Sequence, residues 1–273
     1  MDLNISLKDE AKSFFLYSYF GIVSKDMYDE LCKDEKKRKI PTYKDFVIAK
    51  CIDRAYLDLC RTIRFKPECK GEKNKKTRQE NLTPAKDSLK DSINSLLNGE
   101  AKEAWHKDTC DKLIKNMLDK DFLENLTRTD DKNYTPVGFS YGHAQKWVNM
   151  TLKYLWLLGL VLPPLEASAH IPIDNYIIEA TWKDCTVPLK SDDKDNEKDK
   201  DKGNFNTEKF YPWSTWDKTE YDNFRDSIID RIPNDKVENP LLWENDLWIK
   251  TAAKHGVKEY LNQNNSDENC RAV

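Results

Sequence analysis

The alternation of apolar and polar positions along this chain has the period of a helix almost throughout. Apolar residues recur at intervals of three and four, and only eight glycines interrupt 273 residues. No segment shows the two-residue alternation of a strand over several turns. The pattern predicts an all-α fold, with helices over residues 7–19, 25–38, 43–64, 84–97, 99–119, 143–158, 174–184, 216–230 and 240–261.

Capping residues mark the start of two of these helices. Thr83 stands before Pro84, and proline is favoured at the first position of a helix. Ser214 stands three residues before Asp217, which is the spacing of a capping box. These signals predict helix starts at Pro84 and just after Ser214.

One helix carries a polar line through apolar residues. In "HAQKWVNMTLKYLWLL", residues 143–158, Lys146, Asn149 and Lys153 are three and four residues apart and form a single stripe. A core helix that shows one face to water has this pattern, and so does a helix that borders a cleft. In a cleft, burial disfavours the ammonium form of a lysine and makes its amine nucleophilic.

The segment after this helix supplies a carboxylate. In "IPIDNYIIEATWK", residues 171–183, Pro172 predicts an extended entry and Asp174 stands where the N-cap of a short helix is expected. Asp174 is therefore a structural cap, or a rigidly held carboxylate that meets an amine. It follows Lys146 by 28 residues, across one helix and one loop, which is a separation that permits contact.

Two glycines crowd the approach to the same helix. Gly138 and Gly142 lie in "DKNYTPVGFSYGHAQK", residues 131–146, together with Pro136. This spacing is that of a plain interhelical turn or of a tight turn whose backbone N–H groups hold a phosphate.

The charge balance argues mildly against a nucleic-acid partner. The net charge is −3, from 45 basic and 48 acidic side chains, whereas phosphate contacts need clustered cations. Such a cluster exists locally. The segment "RTIRFKPECKGEKNKKTR", residues 61–78, has eight Lys or Arg against two Glu and includes Lys73, Lys75 and Lys76. It is either a solvated loop between helices or a patch that faces phosphate.

Other features restrict the class of protein. The apolar run from Leu155 to Leu165 is too short for a membrane span, and "MDLNISLKDE" has no export signal. Seven cysteines show no zinc-site or iron–sulfur spacing, so we expect reduced thiols in the cytoplasm, with no metal and no cofactor. Residues 189–203, "LKSDDKDNEKDKDKG", are typical of a flexible, exposed loop.

Taken together, these motifs resemble the helix-hairpin-helix superfamily of DNA glycosylases. A glycine-containing hairpin, a helix that opens with a lysine and an "IPID" entry to the next helix are most similar to the archaeal 8-oxoguanine DNA glycosylase branch. Lys146, Lys153 and Asp174 match its two lysines and its aspartate. The resemblance covers about residues 135–184. The sequence "TPVGFSYGHA" stands where the family has its usual "LPGVGxxTA" hairpin.

The resemblance implies an activity and a set of site residues. Such enzymes flip a nucleotide out of DNA into a pocket between two helical lobes. Lys146 would attack C1′ of the sugar, displace the base and form a Schiff base that can lead to strand cleavage. Asp174 would accept a proton and stabilise positive charge on the sugar. Gly138, Gly142 and the lysines of the basic segment would contact phosphate.

Several side chains are candidates to line the pocket that the resemblance implies. Asn149, Lys153, His143 and Trp182 are the candidates for substrate contacts, and the alternative for His143 is a surface or turn histidine. A flipped base needs a flat partner, for which Trp182 and the segment "YPWSTW", residues 211–216, are preferred among the tryptophans, with core packing as the alternative for each of them. "PLLWENDLWIK", residues 240–250, is typical of a core helix in the second lobe.

Three functions therefore remain open. The first is a DNA N-glycosylase, with or without lyase activity, folded as one two-lobed helical unit over residues 1–273 and acting as a monomer on DNA. The second keeps the helical fold without catalysis, as a nucleic-acid-binding module in repair or phage defence. The third is a helical interaction protein whose acidic balance and charged loop serve a protein partner.

Overall fold

The computed structural model of the protein describes residues 9–33, 40–69, 71–101, 103–118, 122–128, 131–160, 170–190, 205–233 and 240–270. For Leu118 and for residues 260–270 it describes the backbone alone. The predicted flexible loop at 189–203 lies outside the described residues, except for its first two positions.

Helices make up most of this part of the chain, as the apolar spacing predicts, and the all-α prediction is confirmed for the described residues. A short π-helix, Leu16–Phe20, follows α1, and the only strand-like pairing among the described residues is in isolated bridges. The helices described are α1 (Asp9–Phe15), α2 (Lys25–Cys32), α3 (Tyr43–Leu59), α4 (Lys75–Leu97), α5 (Trp105–Leu118), α6 (Tyr141–Leu157), α7 (Asn175–Thr181), α8 (Lys218–Ile229) and α9 (Pro240–Cys270).

Four of these helices pack around one another. α3 and α5 each pack on both α4 and α6, so α4 and α6 occupy diagonal positions in this arrangement. α6 also packs on α8, and α7 packs on α9. Buried apolar side chains from α3 to α8 join in one hydrophobic cluster, which is the main source of stability for such an assembly.

Both predicted capping signals are wrong about where the helix begins. α4 begins at Lys75, nine residues before Pro84, and continues through the proline. The carbonyl that loses its backbone donor belongs to Glu80, an exposed residue, so the missing hydrogen bond is not in the core. For α8 the N-cap is Asp217 rather than Ser214. The Asp217 carboxylate accepts from the Glu220 amide at 2.9 Å, which completes a capping box three residues later than expected.

The segment before α6 differs from a short hairpin between two helices. α5 ends at Leu118 and α6 begins at Tyr141, and the described residues between them form bridges instead of a helix. Leu123 pairs with Phe65, and Leu126 pairs with Val137. α5 also begins at Trp105, later than predicted, because Gly99 adopts a left-handed conformation after α4 and turns the chain.

Within the described residues, no helix is both long and apolar enough to cross a membrane.

Candidate functional site

α6 begins at a capping box and brings the predicted polar stripe into the interior. The Ser140 hydroxyl caps the helix by accepting from the His143 amide at 3.1 Å. Lys146, Asn149 and Lys153 follow on one face, and their exposed fractions are 6%, 0% and 5%. The stripe therefore faces protein rather than water. This excludes the interpretation of α6 as a core helix whose polar face is exposed to solvent.

Asp174 is the N-cap of α7, as predicted, and its carboxylate accepts hydrogen bonds at both oxygens. Oδ1 accepts from the backbone amides of Tyr176 and Ile177 at 3.0 and 3.2 Å. Oδ2 accepts from Lys146 Nζ at 2.8 Å and from the indole nitrogen of Trp248 at 2.9 Å. The lysine and the aspartate that the sequence singles out are therefore in direct contact.

The surroundings of Asp174 favour its ionised form. Burial by itself would raise the pKa of this carboxyl group. The charge of Lys146 and the hydrogen bonds from Lys146, Trp248 and Ile177 outweigh burial and hold the pKa below its ordinary value. Only 7% of the Lys146 side chain and 16% of the Asp174 side chain is exposed, so the pair lies just below the surface.

A second ion pair lies beside the first. Lys153 Nζ is 2.8 Å from Glu244 Oε2, and the two side chains are 7% and 1% exposed. Lys153 is therefore the partner of the Glu244 carboxylate, and no second hydrogen-bond donor contacts it among the described residues. Burial raises the pKa of Glu244, and the positive charges of Lys153 and Lys146 oppose the rise only in part.

Trp248 connects the two ion pairs. Its indole N–H donates to Asp174, and the centre of its ring is 5.7 Å from Lys153 Nζ. Glu244 and Trp248 are four residues apart on α9, and thus on one face of that helix. Sequence reasoning assigned this segment to the core and missed both residues. A glutamate one turn before a tryptophan in an apolar helix was the available signal.

Asn149 lies between the two lysines on α6 but is satisfied by protein groups. Its amide nitrogen donates to Gln145 Oε1 at 3.0 Å, to the Ile171 carbonyl at 3.0 Å and to the Tyr221 hydroxyl at 3.3 Å. Its oxygen pairs with His106 Nε2 at 2.8 Å. The predicted substrate contact by Asn149 would have to replace these bonds.

His143 is buried, and the expectation of a surface or turn histidine is wrong. It is 0% exposed, its ring stacks on Phe139 and its Nδ1 accepts from the Ser140 amide at 3.2 Å. Burial lowers the pKa of His143 to about 4, against the effect of the Thr62 backbone. The ring therefore belongs to the packing at the start of α6.

The predicted pocket tryptophans lie in other parts of the molecule. Trp182 follows α7 at the end opposite Asp174, about 12 Å along the helix, and its ring contacts Phe205 and Phe210. Trp213 and Trp216 in "YPWSTW" are 6% and 0% exposed and pack in the core. The flat ring beside the Lys146–Asp174 pair is that of Trp248.

The two glycines before α6 permit close packing. A Cβ atom on Gly142 would lie 1.9 Å from the carbonyl oxygen of Trp213, and the Gly142 amide donates to the Trp216 carbonyl at 3.0 Å. A Cβ atom on Gly138 would lie 2.8 Å from Leu123 Cβ. In this structure the Gly142 amide is not available to a phosphate, because it already has an acceptor.

The three lysines of the basic segment lie near the start of α4 and are exposed. Lys75 pairs with Glu72 at 3.0 Å and Lys76 approaches Glu80 at 3.8 Å, while Lys73 lies in the short 3-10 turn before the helix. Since α4 is diagonal to α6, they do not line the Lys146–Asp174 pair. Arg61 and Arg64 are also exposed and follow α3 close to Thr62, which faces the start of α6.

Among the described residues, no group of three or more His, Cys, Asp or Glu side chains is arranged to hold a metal ion. Comparison with protein-family models, with curated proteins and with solved structures finds no match. Any functional assignment therefore depends on the residues of this site.

Proposed function

We propose that the protein is a DNA N-glycosylase with lyase activity in which Lys146 is the nucleophile and Asp174 assists it. The observation that carries the proposal is the 2.8 Å contact between a buried lysine amine and a partly buried carboxylate at the start of a helix. Schiff-base chemistry needs an amine that is shielded from water beside a group that accepts its proton.

The reaction follows from this contact. Attack requires the neutral amine, and Asp174 Oδ2 is positioned to take the proton that Lys146 Nζ gives up. The amine forms a bond to C1′ of the deoxyribose as the bond from C1′ to the base breaks, and the base leaves with the bonding electrons. In the opening of the sugar ring the C1′–O4′ bond breaks, Asp174 returns its proton to O4′, and a Schiff base forms at Lys146. Asp174 then takes a proton from C2′, and the 3′ phosphate leaves with the electrons of its bond to C3′.

The groups next to the pair suit a flipped base. Trp248 offers a flat ring, Lys153 is a hydrogen-bond donor, and Glu244 is an acceptor that is paired with Lys153. The exposed Arg61 and Arg64 supply positive charge on the side where α6 begins, and in this proposal they contact the DNA backbone. A cleft between two helical lobes, with Lys146 at its mouth, is the form this proposal requires.

The test uses DNA with a single abasic site, so that the identity of the excised base does not matter. Borohydride reduces the Schiff base to a permanent bond, and peptide mass spectrometry then identifies the attached residue. We expect the adduct on Lys146. The Lys146→Arg protein keeps a cation against Asp174 but forms no adduct, whereas Lys183→Gln, an exposed position after α7, leaves trapping unchanged. Equal trapping by Lys146→Arg would overturn the proposal.

Asp174→Asn tests the role of the carboxylate. Asparagine is as good an N-cap as aspartate, so α7 keeps its first turn, but the proton acceptor is lost. We expect trapping to slow by about 100- to 10,000-fold, the usual contribution of a positioned acid or base. Circular dichroism provides the control that the helices remain formed. Trapping at the wild-type rate would remove Asp174 from the mechanism.

One observation favours a second, non-catalytic function. The Asp174 carboxylate already accepts four hydrogen bonds from the protein, which is also how a purely structural ion pair is satisfied. A nucleic-acid-binding module of this fold would bind abasic DNA, with affinity that falls as salt rises, yet form no adduct with Lys146.

A further inference from the structure

The segment that leads into Asp174 is buried and belongs to no helix or strand. Residues 170–174 connect to α7 without helical structure, and Ile171 and Ile173 are 3% and 0% exposed. A buried segment outside helices and sheets must find partners for its backbone N–H and C=O groups elsewhere. Pro172 reduces the need by one donor, because it has no N–H.

The partners of this segment are two side-chain amides of α6. The Ile171 carbonyl accepts from Asn149 Nδ2 at 3.0 Å. Ile173 pairs twice with Gln145: its carbonyl accepts from Nε2, and its amide donates to Oε1, each at 3.4 Å. A carboxamide presents a donor and an acceptor together, so it can replace the neighbouring strand that this segment lacks.

The two amides are themselves held in place. Gln145 Oε1 accepts from Asn149 Nδ2 at 3.0 Å, and Gln145 Nε2 donates to the Gly142 carbonyl at 3.0 Å. The Asn149 oxygen is fixed by His106 of α5 at 2.8 Å. Since both side chains are 0% exposed, water does not compete for these bonds.

The beginning of the segment is anchored as well. His170 Nδ1 pairs with the Tyr221 hydroxyl of α8 at 2.7 Å, and its ring stacks on His106 with a centroid separation of 3.6 Å. The segment is thus attached at residue 170 by α5 and α8, at residues 171 and 173 by the α6 amides and at residue 174 by Lys146. Gln145 and Lys146 are neighbours in the chain, so the group that fixes Ile173 also adjoins the amine that Asp174 contacts.

We propose that Gln145 and Asn149 are positioning residues, which strap residues 170–174 to α6 and thereby hold the Asp174 carboxylate against the Lys146 amine. The effect of these residues on the reaction rests on the proposed function. The strap itself, which is the set of hydrogen bonds from Gln145 and Asn149 to residues 171 and 173, does not. Neither amide touches the substrate. Each sets where Asp174 lies, and a displacement of about 1 Å at a reacting group costs about 100-fold in rate.

The test compares two strap variants with a matched control. Gln145→Met keeps the volume of the side chain but removes its hydrogen bonds to Ile173, and Asn149→Leu does the same at Ile171. The control is Thr151→Val, because Thr151 is also 0% exposed on α6 and its hydroxyl bonds only within that helix, to the Trp147 carbonyl at 2.8 Å. If Asn149→Leu does not fold, Gln145→Met carries the test, because it leaves the bonds from Asn149 to Ile171 and His106 in place.

The first measurement is hydrogen exchange of the amides of Ile173, Tyr176 and Ile177, which needs no substrate. We expect exchange about 10-fold faster in Gln145→Met than in Thr151→Val, because a broken hydrogen bond and the freed segment both favour opening. Equal exchange in the two variants would overturn the strap, whatever the protein does with DNA.

The second measurement is borohydride trapping on abasic DNA together with the Kd for the same DNA. A positioning role predicts trapping about 10- to 100-fold slower in Gln145→Met with Kd changed less than about twofold. Wild-type trapping speed in Gln145→Met would overturn the positioning role. Fast exchange in the variant with no adduct in the wild type would instead refute the proposed function and leave the strap standing.

Discussion

At the scale of single residues, the second ion pair is the costliest feature of the site. Lys153 and Glu244 are both more than nine-tenths buried, and taking two charges out of water costs several kcal/mol per ion before their attraction offsets it. Replacement of a buried ion pair by hydrophobic residues of similar size usually leaves the protein at least as stable. Retention of charge next to Lys146 and Asp174 is consistent with a role in binding, as in the proposed pocket.

This cost leads to a prediction for Lys153→Met. Removal of the amine leaves Glu244 buried without its counter-charge, and we expect a loss of about 3–5 kcal/mol in the free energy of unfolding. The double variant Lys153→Met/Glu244→Leu removes both charges and should recover most of that loss. Urea unfolding at pH 7 measures all three proteins. A double variant no more stable than the single one would show that the pair is not the origin of the effect.

At the scale of elements, the first turn of α6 packs directly against the backbone of the segment that contains Trp213. Gly142 lies in the first turn of the helix, where alanine would ordinarily be the better helix former. The space for a methyl group is absent, since the Trp213 carbonyl oxygen would be 1.9 Å from the new atom. A backbone carbonyl cannot move aside as the end of a flexible side chain can. The steric clash, and not helix propensity, therefore determines how a Gly142→Ala substitution changes stability.

The prediction compares two glycines that both lie in helices. Gly142→Ala should lower the free energy of unfolding by about 1–3 kcal/mol or more, as expected of overpacking. Gly256→Ala in α9 should raise it by about 0.5–1 kcal/mol, because a Cβ atom there meets nothing within 4 Å. Denaturant unfolding of both variants gives the two signs. Stabilisation by Gly142→Ala would contradict the close approach of the two segments.

At the scale of the whole molecule, buried histidines from different elements link folding to pH. Burial lowers the pKa of His106 and of His143 to about 4 from the ordinary value of 6.5. Burial and the neighbouring charge of His106 lower the pKa of His170 as well. Arg225 and Lys218 of α8 act in the same direction on His106 and His170, while Asp222 opposes them at His106.

The sign of the pH effect follows from these depressed values. Above pH 6.5 the histidines are neutral in both folded and unfolded chains, and their contribution to stability is complete. As the pH falls from 6.5 towards 4, the unfolded chain takes up protons that the folded chain does not, so stability is lost. Each histidine contributes a slope of up to about 1.4 kcal/mol per pH unit. Glu244, whose pKa is raised, works in the opposite direction.

We therefore expect the free energy of unfolding to fall steadily between pH 6.5 and pH 4.5. Denaturant titrations at half-unit intervals measure the slope. His106→Gln should reduce this slope by the contribution of one histidine, because glutamine keeps a polar group near Asn149 but does not titrate. Stability that stays constant across this range would mean that the three rings are not held neutral.

Much of the local structure was predictable from the sequence, and the site only in part. The period of apolar residues located the helices, and Asp174 was recognisable as an N-cap from its place after Ile-Pro-Ile. The start of α4 was missed because Pro84 is tolerated inside the helix, where the carbonyl that loses its donor belongs to the exposed residue Glu80. The start of α8 was missed because two residues have an acidic residue three positions later, as a capping box requires: Ser214 has Asp217, and Asp217 has Glu220. In the structure the helix begins after the second of them.

The sequence by itself determined the helical class, the cap at Asp174 and the possibility that Lys146 reaches it, because each depends on residues connected by one helix and one loop. Only the tertiary structure decided that the α6 stripe is buried, that Glu244 and Trp248 join it and that His143 is in the core. Those facts depend on which helices pack together. Trp248 and Asp174 are 74 residues apart in the chain, and no local period reports such a contact.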